Sequence, residues 1–313
     1  LFLLLGFVFL IKGADYFVDS AGAIARRFKI PSIIIGLVIV SIGTSLPELS
    51  VSASSSLNGM NDLSVANVVG SNIFNVLGIL GLTAVFFPVA IEKKNMKFEI
   101  PLCIAVSVLL MILAFNFFNG TAATIGRFDG WILLLSFVGF LWYSFARDRK
   151  DSNDSTENIT DEISPLWLAI VKVVGGLALL IVSCDFFVDN AVLIAKRFGV
   201  NDAFISLTLI ACGTSLPELA ASVAAAVKKN TDMALGNIVG SNIFNITLIL
   251  GLSSQVMPLT SSGITYIDYI VMIVAAVLVL LIGFVGKINR ISGLFMFICF
   301  VLYNWYLISN QIV

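Results

Sequence analysis

The sequence predicts an all-α polytopic membrane protein of ten transmembrane helices, folded as two inverted-topology five-helix repeats with helices two and seven broken. Three observations carry that prediction. Of 313 residues, 59% are hydrophobic and only 12% charged, where a soluble domain has about 25% charged. Apolar runs recur along the whole chain, each close to the roughly 20 residues that a span requires. The sequence also repeats itself at a constant offset of 170 residues. The first observation alone excludes a globular enzyme, whose core must be enclosed by a polar surface.

Composition removes more chemistry. Histidine is absent, which excludes Ser-His and Cys-His nucleophile pairs, His-based zinc sites and histidine proton relays. Cys103, Cys184, Cys212 and Cys299 stand singly in apolar runs, as small buried hydrophobes rather than a metal cluster or disulfide framework. A net charge of -1 gives no basic footprint for nucleic acid.

In order, the first repeat, 1–145, has spans at 1–25, 30–57, 63–87, 100–118 and 128–145. The opening run reads as a span and not a signal peptide, because such runs continue to the end of the chain. Residues 146–164, from Arg147-Asp148-Arg149-Lys150 to Asp161-Glu162, are polar and form a flexible solvated linker. The second repeat, 165–313, has spans at 166–190, 200–227, 232–257, 266–285 and 291–310. Asp15, Asp19, Asp185 and Asp189, near Arg26–Arg27 and Lys196–Arg197, are expected at the membrane interface, with Lys12 and Lys172 snorkelling.

The repeat is continuous. Gly43-Thr44-Ser45-Leu46-Pro47-Glu48-Leu49 returns as Gly213-Thr214-Ser215-Leu216-Pro217-Glu218-Leu219, and Gly70-Ser71-Asn72-Ile73-Phe74-Asn75 as Gly240-Ser241-Asn242-Ile243-Phe244-Asn245. Five spans per half is odd, so the second half enters the membrane upside down, the arrangement of secondary transporters. Lys and Arg agree: thirteen lie in alternate connections including the linker, and only Arg127, Lys196 and Arg197 in the opposite ones. The positive-inside rule then places the linker in the cytoplasm and both termini outside the plasma membrane.

Spans two and seven each place a glutamate just after a proline, deep in an apolar run. A carboxylate at that depth marks a pathway or a site. Pro47 and Pro217 bring no amide hydrogen, so each frees the carbonyl of Gly43 or Gly213 and breaks its helix. The break offers carbonyls, the hydroxyls of Thr44, Ser45, Thr214 and Ser215, and the carboxylates of Glu48 and Glu218. Ser71 and Asn75 share a helix face at i, i+4, as do Ser241 and Asn245. An all-oxygen set suits a hard cation, and no Lys or Arg lies in these spans to balance the glutamates.

The doubled Gly-Thr-Ser-Leu-Pro-Glu, each followed by Gly-Ser-Asn-x-x-Asn, resembles the alpha repeats of the calcium/cation antiporter superfamily, and most closely a prokaryotic sodium/calcium exchanger. The resemblance spans both halves. It implies a transporter and not an enzyme, without cofactor, whose substrates are Ca2+ and Na+ and whose setting is the lipid bilayer. Sodium entering down its gradient would expel calcium, with spans one and six sliding across the other eight. It assigns calcium to Glu48 and Glu218, with Thr44, Ser45, Ser71, Thr214, Ser215 and Ser241, and main-chain oxygens at Ser41 and Ala211. Asn75 and Asn245 would line a fourth, water-accessible corner. Asn245 stands where potassium-dependent members carry Asp, which counts against potassium co-transport. One chain suffices for the site.

Charge arithmetic fits exchange. Two carboxylates balance one divalent ion; about three monovalent ions leave one excess charge, worth about 2.3 kcal/mol per 100 mV. The nearest alternative is a Ca2+/H+ antiporter, or an exchanger of another divalent cation. The hydroxyls argue against the proton version, since sodium needs those oxygens and a proton does not. An intramembrane protease would need Ser-His, a zinc ligand set or an aspartate dyad, but histidine is absent and the aspartates are not in a Gly-x-Gly-Asp setting; a channel usually builds its pore from several subunits.

Overall fold

The structure is a computed structural model describing residues 2–28, 30–115, 124–151, 166–198, 211–260 and 264–311. It is almost wholly helical. Helix α1 spans Phe2–Phe28, 27 residues, or about 40 Å at 1.5 Å per residue. The second stretch runs α2 (Ser32–Ile35), a π-helical turn Gly36–Val40, α3 (Ser41–Thr44) and, past a break at Ser45, α4 (Leu46–Leu57). Next come α5 (Asn61–Ile73), a second π-helical segment Phe74–Leu80, and α6 (Gly81–Phe86). A strand β1 (Val89–Ala90) and short α7 (Lys93–Lys97) lead to α8 (Glu99–Phe115). Strand β2 (Thr124–Ile125) and α9 (Arg127–Asp151) follow. Helix α9 runs past the expected linker start, so the polar segment begins as helix; residues 152–164 lie outside the described residues.

The second half echoes this order. After α10 (Leu166–Arg197) come α11 (Ala211–Gly213) and α12 (Leu216–Val227); residues 200–210 of the expected seventh span are outside the described residues. Helix α13 (Thr231–Phe244) passes through a third π segment, Asn245–Ile249, into α14 (Leu250–Val256). Strand β3 (Leu259–Thr260), α15 (Tyr266–Gly283), β4 (Lys287–Ile288) and α16 (Arg290–Gln311) complete the chain.

Among the described residues six helices are long and apolar enough to cross a membrane, and a seventh is obtained by joining the pair bent by 46° at Ser45. The crossing helices differ in depth. The Thr231–Val256 helix is 94% buried and the Arg290–Ser309 helix 11%, so the first is the axis and the second the rim. Rim side chains such as Leu294, Phe295, Leu302 and Trp305 are exposed and apolar, the surface that a lipid environment favours. The chain is a multi-pass membrane protein.

Two packing clusters build the interior. The larger joins α5, α8 and α13 through α15 around Val68, Leu80, Leu110, Ile243 and Tyr269. The smaller joins α1 to α10 through Leu10, Phe17, Leu180 and Cys184. Helices α1 and α10 meet backbone to backbone: a Cβ on Gly13 would lie 2.7 Å from the Leu180 nitrogen. The expected interfacial aspartates of α1 sit beside the other half, with Lys228 Nζ 3.3 Å from Asp15 Oδ1 and 2.7 Å from Asp19 Oδ1.

Among the described residues, two short strand pairs tie the halves together. β1 pairs antiparallel with β4, Val89 opposite Ile288 and Ala90 opposite Lys287. β2 pairs with β3, Thr124 opposite Thr260 and Ile125 opposite Leu259. Each pair joins a connection in one half to a connection in the other.

Candidate functional site

Both helix breaks fall where proline dictates. Pro47 occupies the second position of α4, where a missing amide hydrogen costs nothing. Ser45 just before it leaves the helical region at φ -85°, ψ 9°. Ser215 does the same at φ -92°, ψ 8°, ahead of Pro217. The Gly213 carbonyl, expected to be freed by Pro217, accepts the Cys184 thiol at 3.1 Å. That cysteine therefore does more than fill space.

Each break sets its glutamate in the first turn of the following helix, where the dipole favours a negative charge. Glu48 and Glu218 are both fully buried. Their hydrogen bonds cross between the halves. Ser215 Oγ donates to Glu48 Oε1 at 2.7 Å, and Ser45 Oγ to Glu218 Oε1 at 2.7 Å. The second oxygen of each carboxylate, Oε2, has no hydrogen-bond partner among the described residues.

Ser71 is drawn in through Ser215, the two hydroxyl oxygens being 3.2 Å apart. Ser241 Oγ, Thr214 Oγ1, Asn75 Oδ1 and Asn245 Oδ1 are buried with no partner among the described residues. Thr44 is engaged: its hydroxyl lies 3.0 Å from the Val40 carbonyl and 3.2 Å from Asn237 Oδ1. The Ser41 carbonyl accepts the Ser45 amide at 3.0 Å, while the Ser41 hydroxyl donates to the Leu37 carbonyl at 2.6 Å. Ala211 opens α11, three residues before Thr214.

The structure adds residues that the motif reading passed over. Asn67 Nδ2 donates to the Glu48 carbonyl at 3.3 Å and Ser52 Oγ at 3.1 Å; Asn237 Nδ2 makes the matching bonds to the Glu218 carbonyl and Ser222 Oγ, at 3.2 and 2.9 Å. They pin the backbone at each glutamate. Asn72 and Asn242 bond to each other's main chains and to Asn245 and Asn75. Both belong to the doubled Gly-Ser-Asn motif, so the signal was present, but the i, i+4 rule points to Ser71 and Asn75 instead.

Among the described residues no cluster of three or more Cys, Asp or Glu is placed to hold a metal. Two carboxylates with hydroxyl and amide oxygens can nonetheless surround a hard cation, because such ions accept neutral oxygen ligands.

The sodium/calcium exchanger protein family matches residues 1–146 and 168–309, nearly all of both halves. The chain belongs to this family. It is 43% identical to the putative antiporter CaxA of Alkalimonas amylolytica, over 82% of this chain and 81% of that protein. It is 34% identical to the sodium/calcium exchanger MaX1 of Methanosarcina acetivorans, over 83% of each. The solved sodium-calcium exchanger NCX_Mj, soaked with zero Na+ and Ca2+, superposes with a TM-score of 0.84 at 30% identity, covering 98% of this chain and 97% of that one. Family membership makes the protein a transporter of the calcium/cation exchange class.

Proposed function

We propose that this protein exchanges Na+ for Ca2+ by alternating access, about three Na+ per Ca2+, and expels Ca2+ from the cell, the one net positive charge carried inward per cycle being worth about 2.3 kcal/mol per 100 mV. The observation that carries this reading is the pair of buried carboxylates with no cationic partner for their free oxygens among the described residues. Burying two unbalanced charges side by side is costly, and a cation among Glu48, Glu218 and the surrounding oxygens removes the cost. Its ligands are Glu48, Glu218, Ser45, Ser71, Asn75, Thr214, Ser215, Ser241 and Asn245, joined by Thr44 and the main chain at Ser41 and Ala211. The hydroxyls favour Na+ over H+ as the counter-ion.

The ten-span inverted repeat follows from the same reading. In that topology β1 and β4 lie in the connections after spans three and nine, and β2 and β3 in those after spans four and eight. Connections of like parity share a side, as their strand pairing requires, and this supports the count. The linker then lies in the cytoplasm and both termini outside the plasma membrane.

Radio-calcium uptake into proteoliposomes, under sodium, potassium or pH gradients imposed one at a time, tests the proposal. Calcium flux is expected to follow the sodium gradient and the membrane voltage. Flux that follows the pH gradient and ignores sodium would establish a Ca2+/H+ antiporter instead.

A further inference from the structure

Asn72, Asn75, Asn242 and Asn245 close the seam between the two helices that flank the glutamates, and all four are buried. The geometry leaves no freedom in how their amides face. Asn72 Nδ2 lies 3.2 Å from the main-chain oxygen of Asn242, and Asn242 Nδ2 lies 3.2 Å from that of Asn72. A main-chain carbonyl only accepts, so turning either amide over would set oxygen against oxygen.

This anchoring fixes the other end of each amide. Asn72 Oδ1 faces the side chain of Asn245, and Asn242 Oδ1 that of Asn75, each at 3.1 Å. An amide oxygen can only receive a hydrogen, so Asn245 and Asn75 must present Nδ2 to it. Their own Oδ1 atoms are left on the opposite side, buried and without a partner among the described residues.

We propose that Asn72 and Asn242 are the positioning residues of the exchange site, each turning the amide of an asparagine on the opposite half so that oxygen, and not N–H, faces the cation. Neither touches the ion. The inference rests on the reading of Asn75 and Asn245 as cation ligands. A reversed amide would remove a ligand and aim a positive dipole at the ion. Residues that orient a metal's ligands typically change affinity by about 10–100-fold when lost.

The test is calcium titration calorimetry on the full chain purified in detergent, with the melting temperature of each variant as a check of folding. Asn72→Leu is expected to raise the Kd for Ca2+ by about 10–100-fold. In an Asn245→Asp background the carboxylate presents oxygen whichever way it turns. There Asn72 Oδ1 has no N–H left to hold, and the further change Asn72→Leu is expected not to raise the Kd. An unchanged Kd in the first case, or the same loss in both backgrounds, overturns the proposal, since a merely structural role would act in either. Should Asn72→Leu fail to fold, Asn72→Ser is the smaller polar substitute, its hydroxyl too short to hold Asn245. Asn242→Ser against Asn75→Asp gives the mirror reading. Glu48→Gln separates the two levels. Wild-type calcium binding in that variant sinks the cation site itself. Lost binding there, with Asn72→Ser unaffected, sinks only the positioning role.

Discussion

At the scale of single residues, the site rests on two carboxylates that each hold one hydroxyl from the opposite half. Glu48→Gln and Glu218→Gln keep the volume and the hydrogen-bond acceptor but remove the charge that a divalent ion needs. Each is expected to abolish sodium-driven calcium flux in proteoliposomes while its elution profile and melting temperature stay those of the parent. Ser45→Ala takes from Glu218 Oε1 its 2.7 Å donor. A hydrogen bond to a charged group contributes about 1.5–3 kcal/mol, so half-saturating Ca2+ should rise by about tenfold or more, read in the same flux assay. The glutamates and the Thr-Ser pairs were legible in the sequence, since charge and hydroxyls stand out against an apolar run. The crossing was not, because Ser45 and Glu218 are 173 residues apart and only the docking of the halves brings them together.

At the scale of elements, proline announced both helix breaks, and the backbone leaves the helix one residue ahead of Leu46 and Leu216 as steric conflict requires. The π-helical segments among the described residues had no such announcement. A π turn keeps the apolar pattern of an α-helix nearly intact, and what selects it is the neighbouring packing. Asn75 lies inside one of these turns and Asn245 opens another, as such turns commonly accompany functional sites. Close approach is equally a matter of neighbours. A Cβ on Gly240 would stand 2.5 Å from the Leu37 carbonyl and 2.8 Å from Ser41 Oγ, whereas one on Gly139 of α9 would meet nothing within 4 Å. Overpacking of this kind costs about 1–3 kcal/mol. Gly240→Ala is therefore expected to lower the melting temperature by several degrees, and Gly139→Ala to leave it unchanged or slightly raised.

At the scale of the whole molecule, the apolar runs and the duplication announced the long helices of both halves and the matching breaks at Ser45 and Ser215. A constant offset, with the odd number of spans per half that we propose, leaves few ways to thread the chain. The strand pairs were beyond sequence reasoning, as two-residue strands have no pattern to detect. They provide a direct check on sidedness. Ala90 and Lys287 are exposed and directly opposed, and opposed residues of an antiparallel pair stand about 4.5–5.5 Å apart, within disulfide range. Ala90→Cys combined with Lys287→Cys should cross-link on mild oxidation in native membranes, with a shift in gel mobility that neither single variant shows. Failure to cross-link in folded protein would mean that those two connections do not share a side. The crossed serine–glutamate bonds also bear on descent. Each carboxylate accepts its serine hydroxyl from the other half, so a site of this design needs both repeats together, and in the proposed topology a single repeat would need a second copy inserted in the opposite sense.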